Sequence, residues 1–544
     1  MYHMKYFTIK NSFFLVPSTK SNEEFEKIDK FLKILEKSGV GKLINSIHRL
    51  NKTSLVGRKG YNPFNMFAMI VYCFSKYKSS LREIEQLCIF DLRVIYIMEQ
   101  KTPSYKVICE FINKYIVPYQ YEIFTMITKI IIEELSLDIS EQYLDGTKIE
   151  ANANKYKFVW KPTTYHKKLD AKVKNYLLEL GYKEFSNKKD IIKAYELNLV
   201  IKDYASNNNI DINNIPTGRG TRKTKEQKNY QLGYEYMLKL LEYEEKEEIC
   251  GENRNSYYKT DKDATAMVLK EDYYSKLSHD FHAAYNVQAL VSCGIITMYG
   301  VYQDRTDYYT FTPMLDSYHQ YYKEYPINIC ADSGYGIYVN YKYIRENKIG
   351  NYVKFQSWNG ETSGKNPQLF YTFDDGIMCL NTNIAEEIKF ENTHQRNKDG
   401  KLYKFTGCNS CNYSYKCKSK LKKENKDKDY RIVELISDYE LLKEEARNNL
   451  LSPKGIEIRV NRSIQIEGTF GQIKNNMGYV RIRRRGLEKV SGEIMLMCLG
   501  RNIRKLFTTF SGKQIQSNFW NPPQNLKTEK MPFPKQKKKK TVRN

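Results

Sequence analysis

The sequence lacks any apolar run long enough to cross a membrane. Its longest clean stretch, Met66 to Phe74, falls far below the ~20 residues a bilayer demands. The opening MYHMKYFTIKNSFFLVPS also lacks the apolar core and small-residue cleavage site of a secretory signal. A soluble, intracellular chain is therefore expected. No disulfide framework is visible either: the 11 cysteines are odd in number and scattered over 544 residues. Cys73 and Cys88, in apolar surroundings, read as core residues. Acidic residues are in deficit, 63 Asp and Glu against 88 Lys and Arg, a net charge of +25. Such a field attracts polyanions and speeds encounter with them. AT-rich codon usage would inflate Lys in the same way, so local Arg clusters weigh more than the total. Hydrophobic residues make up 41%, enough to exclude wholesale disorder, and the length suits about three or four domains.

Residues 1–137 read as an all-helical N-terminal domain suited to DNA binding or to dimer contacts. Ser21 with Glu24 has capping-box spacing ahead of Phe25, Ile28, Phe31, Leu32 and Leu35. Pro63 opens an apolar helix through Phe74, and Thr102-Pro103 predicts a helix start leading to Ile116. A helix-turn-helix and a plain bundle both fit these short helices. The character changes at QYLDGTKIEA, a strand with Tyr143, Asp145, Thr147 and Ile149 on one face. Residues 166–260 form a charged helical insertion between core segments 138–165 and 261–356. AAYNVQALV and IITMYGVYQ predict a hairpin turning at Ser292-Cys293-Gly294. INICADSGYG, a helix near Ile337–Asn347 and GNYVKF form a βαβ unit with parallel strands. Residues 357–430 look irregular and cysteine-containing. A helix from about Asn461 carries the stripe Ile466, Phe470, Ile473, Met477, and a second spans Leu487 to Phe507, within a segment 431–512. Residues 513–544, ending KQKKKKTVRN, read as a basic disordered tail.

Three carboxylates sit at telling places. Asp145 lies mid-strand, where a charge is costly without a partner. Asp332 ends a strand, where open α/β sheets hold ligands. Glu467 borders the apolar stripe of its helix and is expected to face the sheet. Such groups suit hard divalent cations, and two ions about 3.5–4 Å apart support in-line phosphoryl displacement.

With these residues in place, the chain resembles the DDE transposases of bacterial insertion sequences. The resemblance rests on six blocks in order: GRKGYNPFNMFAMIVY with SLREIEQLC, LDGTKIEANANK, TDKDATAM with AAYNVQALV, ADSGYG, IEGTFGQIKNNMGYVRIRRRG, and GEIMLMCLGRNIRKL. It implies an RNase H-like mixed-sheet α/β core with a helical insertion and a preceding all-α domain. It also implies a triad of Asp145, Asp332 and Glu467 that binds Mg²⁺ or Mn²⁺. The long spacings between the three are taken up by the charged insertion and the cysteine segment. Lys474, seven residues after Glu467, fits the family's phosphate-binding Lys. The usual Tyr is Val460 here, and the Arg position is Ser463, with Arg462 one place early.

Arg481, Arg483, Arg484 and Arg485 follow the Glu helix as a phosphate-binding cluster; a solvated loop is the plain alternative. Arg219, Arg222, Lys223 and Lys225 form a weaker basic loop. Cys379 with Cys408-x2-Cys411-x5-Cys417 is a candidate structural zinc site. His166 and His282 read as structural. Asp304 and Asp307 read as helix caps, with Asp307 the reserve carboxylate. Trp358, in a polar SWNG loop, reads as an exposed loop residue, with stacking on an unpaired base the alternative.

The function expected is transposition: binding of terminal inverted repeats, metal-dependent strand cleavage, and strand transfer into target DNA. The partners expected are double-stranded DNA and a second copy of the chain, in the bacterial cytoplasm and nucleoid. The alternatives are a transposase-derived DNA-binding protein that no longer cuts and an RNase H-like structure-specific nuclease.

Overall fold

The computed structural model describes residues 19–51, 60–76, 80–185, 188–216, 222–269, 280–365, 368–373, 376–390, 397–419, 421–515, 519–520 and 522–530. The basic end KQKKKKTVRN and Arg219 lie outside them.

Helices come first: α1 (Thr19–Lys37), α2 (Val40–Asn51), α3 (Pro63–Ser75), α4 (Leu81–Phe90), α5 (Leu92–Ile97), α6 (Tyr105–Phe111) and α7 (Gln120–Glu134). α3 starts where the sequence signals it, with Asn62 accepting from the Phe64 N–H and Pro63 in the first turn. Two other expected starts shift. α1 begins at Thr19, so Ser21 falls inside the first turn. α6 begins at Tyr105 after extended Ser104, because Thr102 and Pro103 continue the loop. A π turn (Ile112–Ile116) and a short 3-10 turn then join α6 to α7.

The central sheet is built from β1 (Glu141–Glu150), β4 (Thr265–Val268), β5 (Phe281–Ser292), β6 (Ile295–Tyr302), β7 (Asn328–Ala331) and β8 (Gly350–Asn351). β5 lies between β1 and the pair β6 and β4, and β7 and β8 follow on the other side of β1. β1, β7 and β8 run parallel, while β5 is antiparallel to β1 and β6. This mixed order is consistent with the RNase H-like core. The hairpin expected at Cys293-Gly294 is present, both residues having positive φ, as a two-residue type I′ turn requires. The βαβ unit is also present: α12 (Tyr338–Glu346) bridges parallel β7 and β8, following α11 (Phe311–Tyr322).

The insertion hangs from β1 on a two-stranded ribbon, β2 (Phe158–Trp160) paired with β3 (Ser256–Tyr258). Its helices α8 (Thr163–Glu179), α9 (Ala194–Asn207) and α10 (Lys225–Cys250) enclose their own apolar core around Val173, Leu177, Leu197 and Ile201. His166 is buried there and pairs with Glu247 at 3.0 Å.

The segment read as irregular is largely ordered. After α13 (Trp358–Thr362) come a hairpin, β9 (Phe370–Phe373) with β10 (Gly376–Cys379), and a sheet of β11 (Glu386–Ile388), β12 (Lys401–Thr406) and β13 (Tyr430–Leu435). These strands are short and flanked by polar residues, so alternation alone does not reveal them. Trp358 is a correction: it is 2% exposed, packed edge-on against Phe355 at 5.5 Å, and unable to stack on a base.

α14 (Ser437–Leu451) leads into α15 (Pro453–Gly471) and α16 (Leu487–Phe510). α15 starts two turns before the expected Asn461, because Ser452 accepts from the Gly455 N–H and Pro453 fills the first turn. Ile466, Phe470, Ile473 and Met477 are buried as their spacing predicts. α16 packs against α3, α7 and β6, so the N-terminal helices and one face of the sheet share a single apolar cluster. Among the described residues, no helix is long and apolar enough to cross a membrane.

Candidate active site

Asp145 and Asp332 are neighbours by register. Leu144 pairs with Ala331 in the parallel ladder of β1 and β7, so the next residue on each strand is an aspartate, about 4.8 Å apart across the sheet. Side chains alternate between faces. Leu144 and Ala331 point into the cluster under α11 and α12, while Tyr143 and Cys330 point into the cluster that includes α15 residues Ile458 and Ile466. Asp145 and Asp332 thus share the face that α15 crosses. β7 ends there, and Asp332 turns the chain by accepting from the Ser333 N–H at 2.7 Å.

Asp145 is held on two sides. Its Oδ1 accepts from the Gly146 N–H at 2.9 Å, and its Oδ2 pairs with Arg462 Nη2 at 3.2 Å. Burial pushes its carboxyl above the ordinary range, Arg462 and the Gly146 N–H oppose that, and Asp332 and Asp307 push it further up. Arg462, buried on α15, therefore points at a carboxylate rather than toward a DNA phosphate. Its place one residue before Ser463 is what aims it at β1.

Behind β1 sits a polar network that sequence reasoning missed. Asn286 and Gln288, alternate residues of β5, both donate to Asp307 Oδ1, at 2.8 and 2.9 Å. Tyr335 donates to Gln288 in turn. Gly146 makes room for this group: a Cβ there would lie 2.1 Å from Gln288 Nε2. The period-two placement of Asn286 and Gln288 in an otherwise apolar strand is the sequence signal that could have found it. Neither Asp304 nor Asp307 caps α11, whose N-cap is Thr310. Asp307 instead belongs to the site's surroundings.

Glu467 departs from expectation. It is exposed on α15, because Ile466 and Phe470 take the sheet-facing positions and the next residue lies about 100° around the helix. Its helix nonetheless packs on β1, β5 and β7. Among the described residues, no three acidic, histidine or cysteine side chains stand ready to hold a metal ion. Lys474 donates to the Lys148 carbonyl of β1 at 3.1 Å, tying the end of the helix to the strand that carries Asp145.

The arginine cluster divides. Arg481 reaches the Ala151 and Ala153 carbonyls and lies 3.6 Å from Glu150. Arg484 donates to Asn113 Oδ1 at 2.6 Å. Arg483 and Arg485 are exposed. The loop itself is clamped by buried Glu493, which accepts from the backbone N–H groups of Arg483 and Arg484. In the basic loop of the insertion, Lys223 donates to Gln231, while Arg222 and Lys225 are exposed. His282 is buried near Asp280 and Glu150.

The four candidate zinc cysteines, Cys379, Cys408, Cys411 and Cys417, line one cavity with Arg431 and Lys418, although no three of them stand in a metal-holding arrangement. Burial pushes the Cys408 and Cys417 thiols up, and Lys418 and Arg431 respectively act against that. Arg431 Nη1 lies 2.6 Å from the Cys417 sulfur.

No curated protein and no solved structure matches the chain. Residues 378–507 match the family model described as a transposase DDE domain, a span that includes α15, Glu467 and most of α16 and stops short of both aspartates. Residues 378–507 thus carry the mark of a transposase DDE domain, which supports a DDE-type transposase.

Proposed function

We propose that the chain binds the terminal inverted repeats of a mobile element, cuts a strand at each end and joins the freed 3′-OH to target DNA. The observation that carries this reading is the register of β1 and β7, which sets Asp145 and Asp332 side by side on the face crossed by α15. Their all-oxygen donor chemistry suits Mg²⁺ or Mn²⁺, with Glu467 as the third ligand by its place in the motif. A bound divalent ion would polarise the phosphate and lower the pKa of the attacking hydroxyl or water. Arg462 orients Asp145 and balances its charge. Arg483 and Arg485 hold the DNA backbone beside the site. Joining two ends calls for two copies of the chain on DNA.

The direct test is incubation of the full chain with DNA carrying the element's ends and Mn²⁺. Nicking followed by joining supports transposition. Binding without nicking favours the DNA-binding alternative, and cleavage indifferent to the ends favours the nuclease. Replacing Arg483 and Arg485 together by Ala should weaken DNA binding roughly tenfold or more at moderate salt and lower the log–log salt slope by about two. An unchanged slope would make the pair a solvated loop.

The cysteine module is proposed as a structural zinc site, with Cys379, Cys408, Cys411 and Cys417 as ligands. Arg431 beside Cys417 offsets part of the burial that raises its thiol, and zinc binds the thiolate form. Purified protein should carry close to one zinc per chain, and Cys408→Ser should lose it. Zinc-free wild-type protein that is folded and active would end this assignment.

A further inference from the structure

The ribbon between β1 and the insertion exposes large aromatic side chains. Tyr156 is 82% exposed, Phe158 43% and Trp160 54%. Phe158 and Trp160 are alternate residues of β2 and therefore share a face. Their rings meet edge-on with centroids 5.4 Å apart. Lysines are interleaved with them: Lys155, whose ammonium lies 5.5 Å from the Tyr156 ring centre, then Lys157 and Lys161. An exposed aromatic group of this kind marks a binding surface, and the alternating lysines make its partner a polyanion with flat apolar faces. Nucleic acid has both properties. Paired bases hide their faces in the stack, so an aromatic platform of this kind suits unpaired nucleotides.

The ribbon is also continuous with the proposed site. The first three residues after β1, Ala151 to Ala153, are stitched to the loop between α15 and α16. Arg481 donates to the carbonyls of Ala151 and Ala153, Arg485 donates to Asn152 O at 2.8 Å, and Asn152 donates to Arg483 O at 2.7 Å. From Asp145 the strand runs only about 16 Å to its end at Glu150. Exposed Arg483 and Arg485 thus lie beside the segment that leads from β1 into the ribbon.

We propose that Tyr156, Phe158 and Trp160 form a stacking platform for unpaired nucleotides of a DNA strand passing the site. This rests on the DNA-cutting reading above. The test uses full-length Asp332→Asn protein, to separate binding from cutting, and two probes: a duplex with an unpaired tail of about ten thymidines, a length within single-strand site sizes, and the same duplex without it. The tail should tighten binding, and Trp160→Ala with Phe158→Ala should weaken binding of the tailed probe roughly tenfold or more. Binding of the blunt probe should change less than about twofold, with an unaltered salt slope because no charge is removed. Trp160→Tyr should restore most of the loss.

Equal weakening on both probes, or none on either, overturns the platform. So does loss of self-association in the double variant with no change in tail preference, which would make the ribbon an interface between copies. Nicking by the otherwise unaltered chain, assayed in parallel, separates the two claims. Nicking without tail preference overturns only the platform, whereas tail preference without nicking overturns the cutting reading.

Discussion

Asp332→Asn should abolish strand nicking, by about a thousandfold or more, while leaving binding to end-containing DNA intact. The size follows from removing one anionic oxygen donor from a site proposed to hold metal, worth several kcal/mol of transition-state stabilisation. The folded state should tolerate the change. Asp332 is exposed at the end of β7, and the amide oxygen of Asn can still accept from the Ser333 N–H. Glu467→Gln should match this loss if the third ligand is the one its motif implies. Asp307→Asn is the informative comparison, because Asp307 and Asp332 both act on the Asp145 carboxyl. Nicking lost in Asp307→Asn but retained in Glu467→Gln would transfer the third role to Asp307. Retained cleavage in Asp332→Asn would overturn the site altogether. The assay is single-turnover nicking in Mn²⁺, with binding measured separately by mobility shift.

The largest expected effect on stability lies away from the site. Arg447 on α14 pairs with Glu361 on α13 at 3.0 Å, their side chains 5% and 7% exposed. The guanidinium also covers the Phe355 ring and contacts Glu444. Arg447→Ala strands the Glu361 carboxylate in a dry environment and should cost about 3–5 kcal/mol. Glu361→Ala should cost less, because Arg447 keeps its contact with Glu444. Replacing both, by Arg447→Met with Glu361→Leu, should recover most of that loss, because no buried charge is left unpaired. Urea unfolding reads this as a lowered midpoint for each single variant. A double variant no more stable than the singles would show that the pair is not the source of the loss. The pair links the helix entering the cysteine module to the helix leaving it, so the single variants should also speed proteolysis between residues 363 and 436.

Much of the scaffold was readable from short-range pattern. Alternation in QYLDGTKIEA and AAYNVQALV marked strands, the Cys293-Gly294 turn closed a hairpin, and ADSGYG ended a strand of a parallel βαβ unit. These features depend on backbone periodicity and turn chemistry, which a few adjacent residues determine. The same logic placed the buried stripe on α15, and Ser452-Pro453 carried an unread signal for where that helix begins.

Side-chain direction was decided elsewhere. Whether Glu467 or Arg462 faces the sheet depends on the rotation of α15 against β1 and β7, where one residue is worth about 100°. Packing of Ile466 and Phe470 settled it, leaving Glu467 outward and Arg462 on Asp145. Trp358, expected in an exposed loop, was buried for a similar reason: Phe355 and its neighbours cover it. The run of arginines read as uniform in sequence, yet Asn113 and the carbonyls after β1 took two of them inward. The chain by itself therefore determined the elements and brought the two aspartates onto strand positions that register could align. Tertiary packing decided which charges meet, because those contacts join residues hundreds of positions apart and no local pattern encodes them.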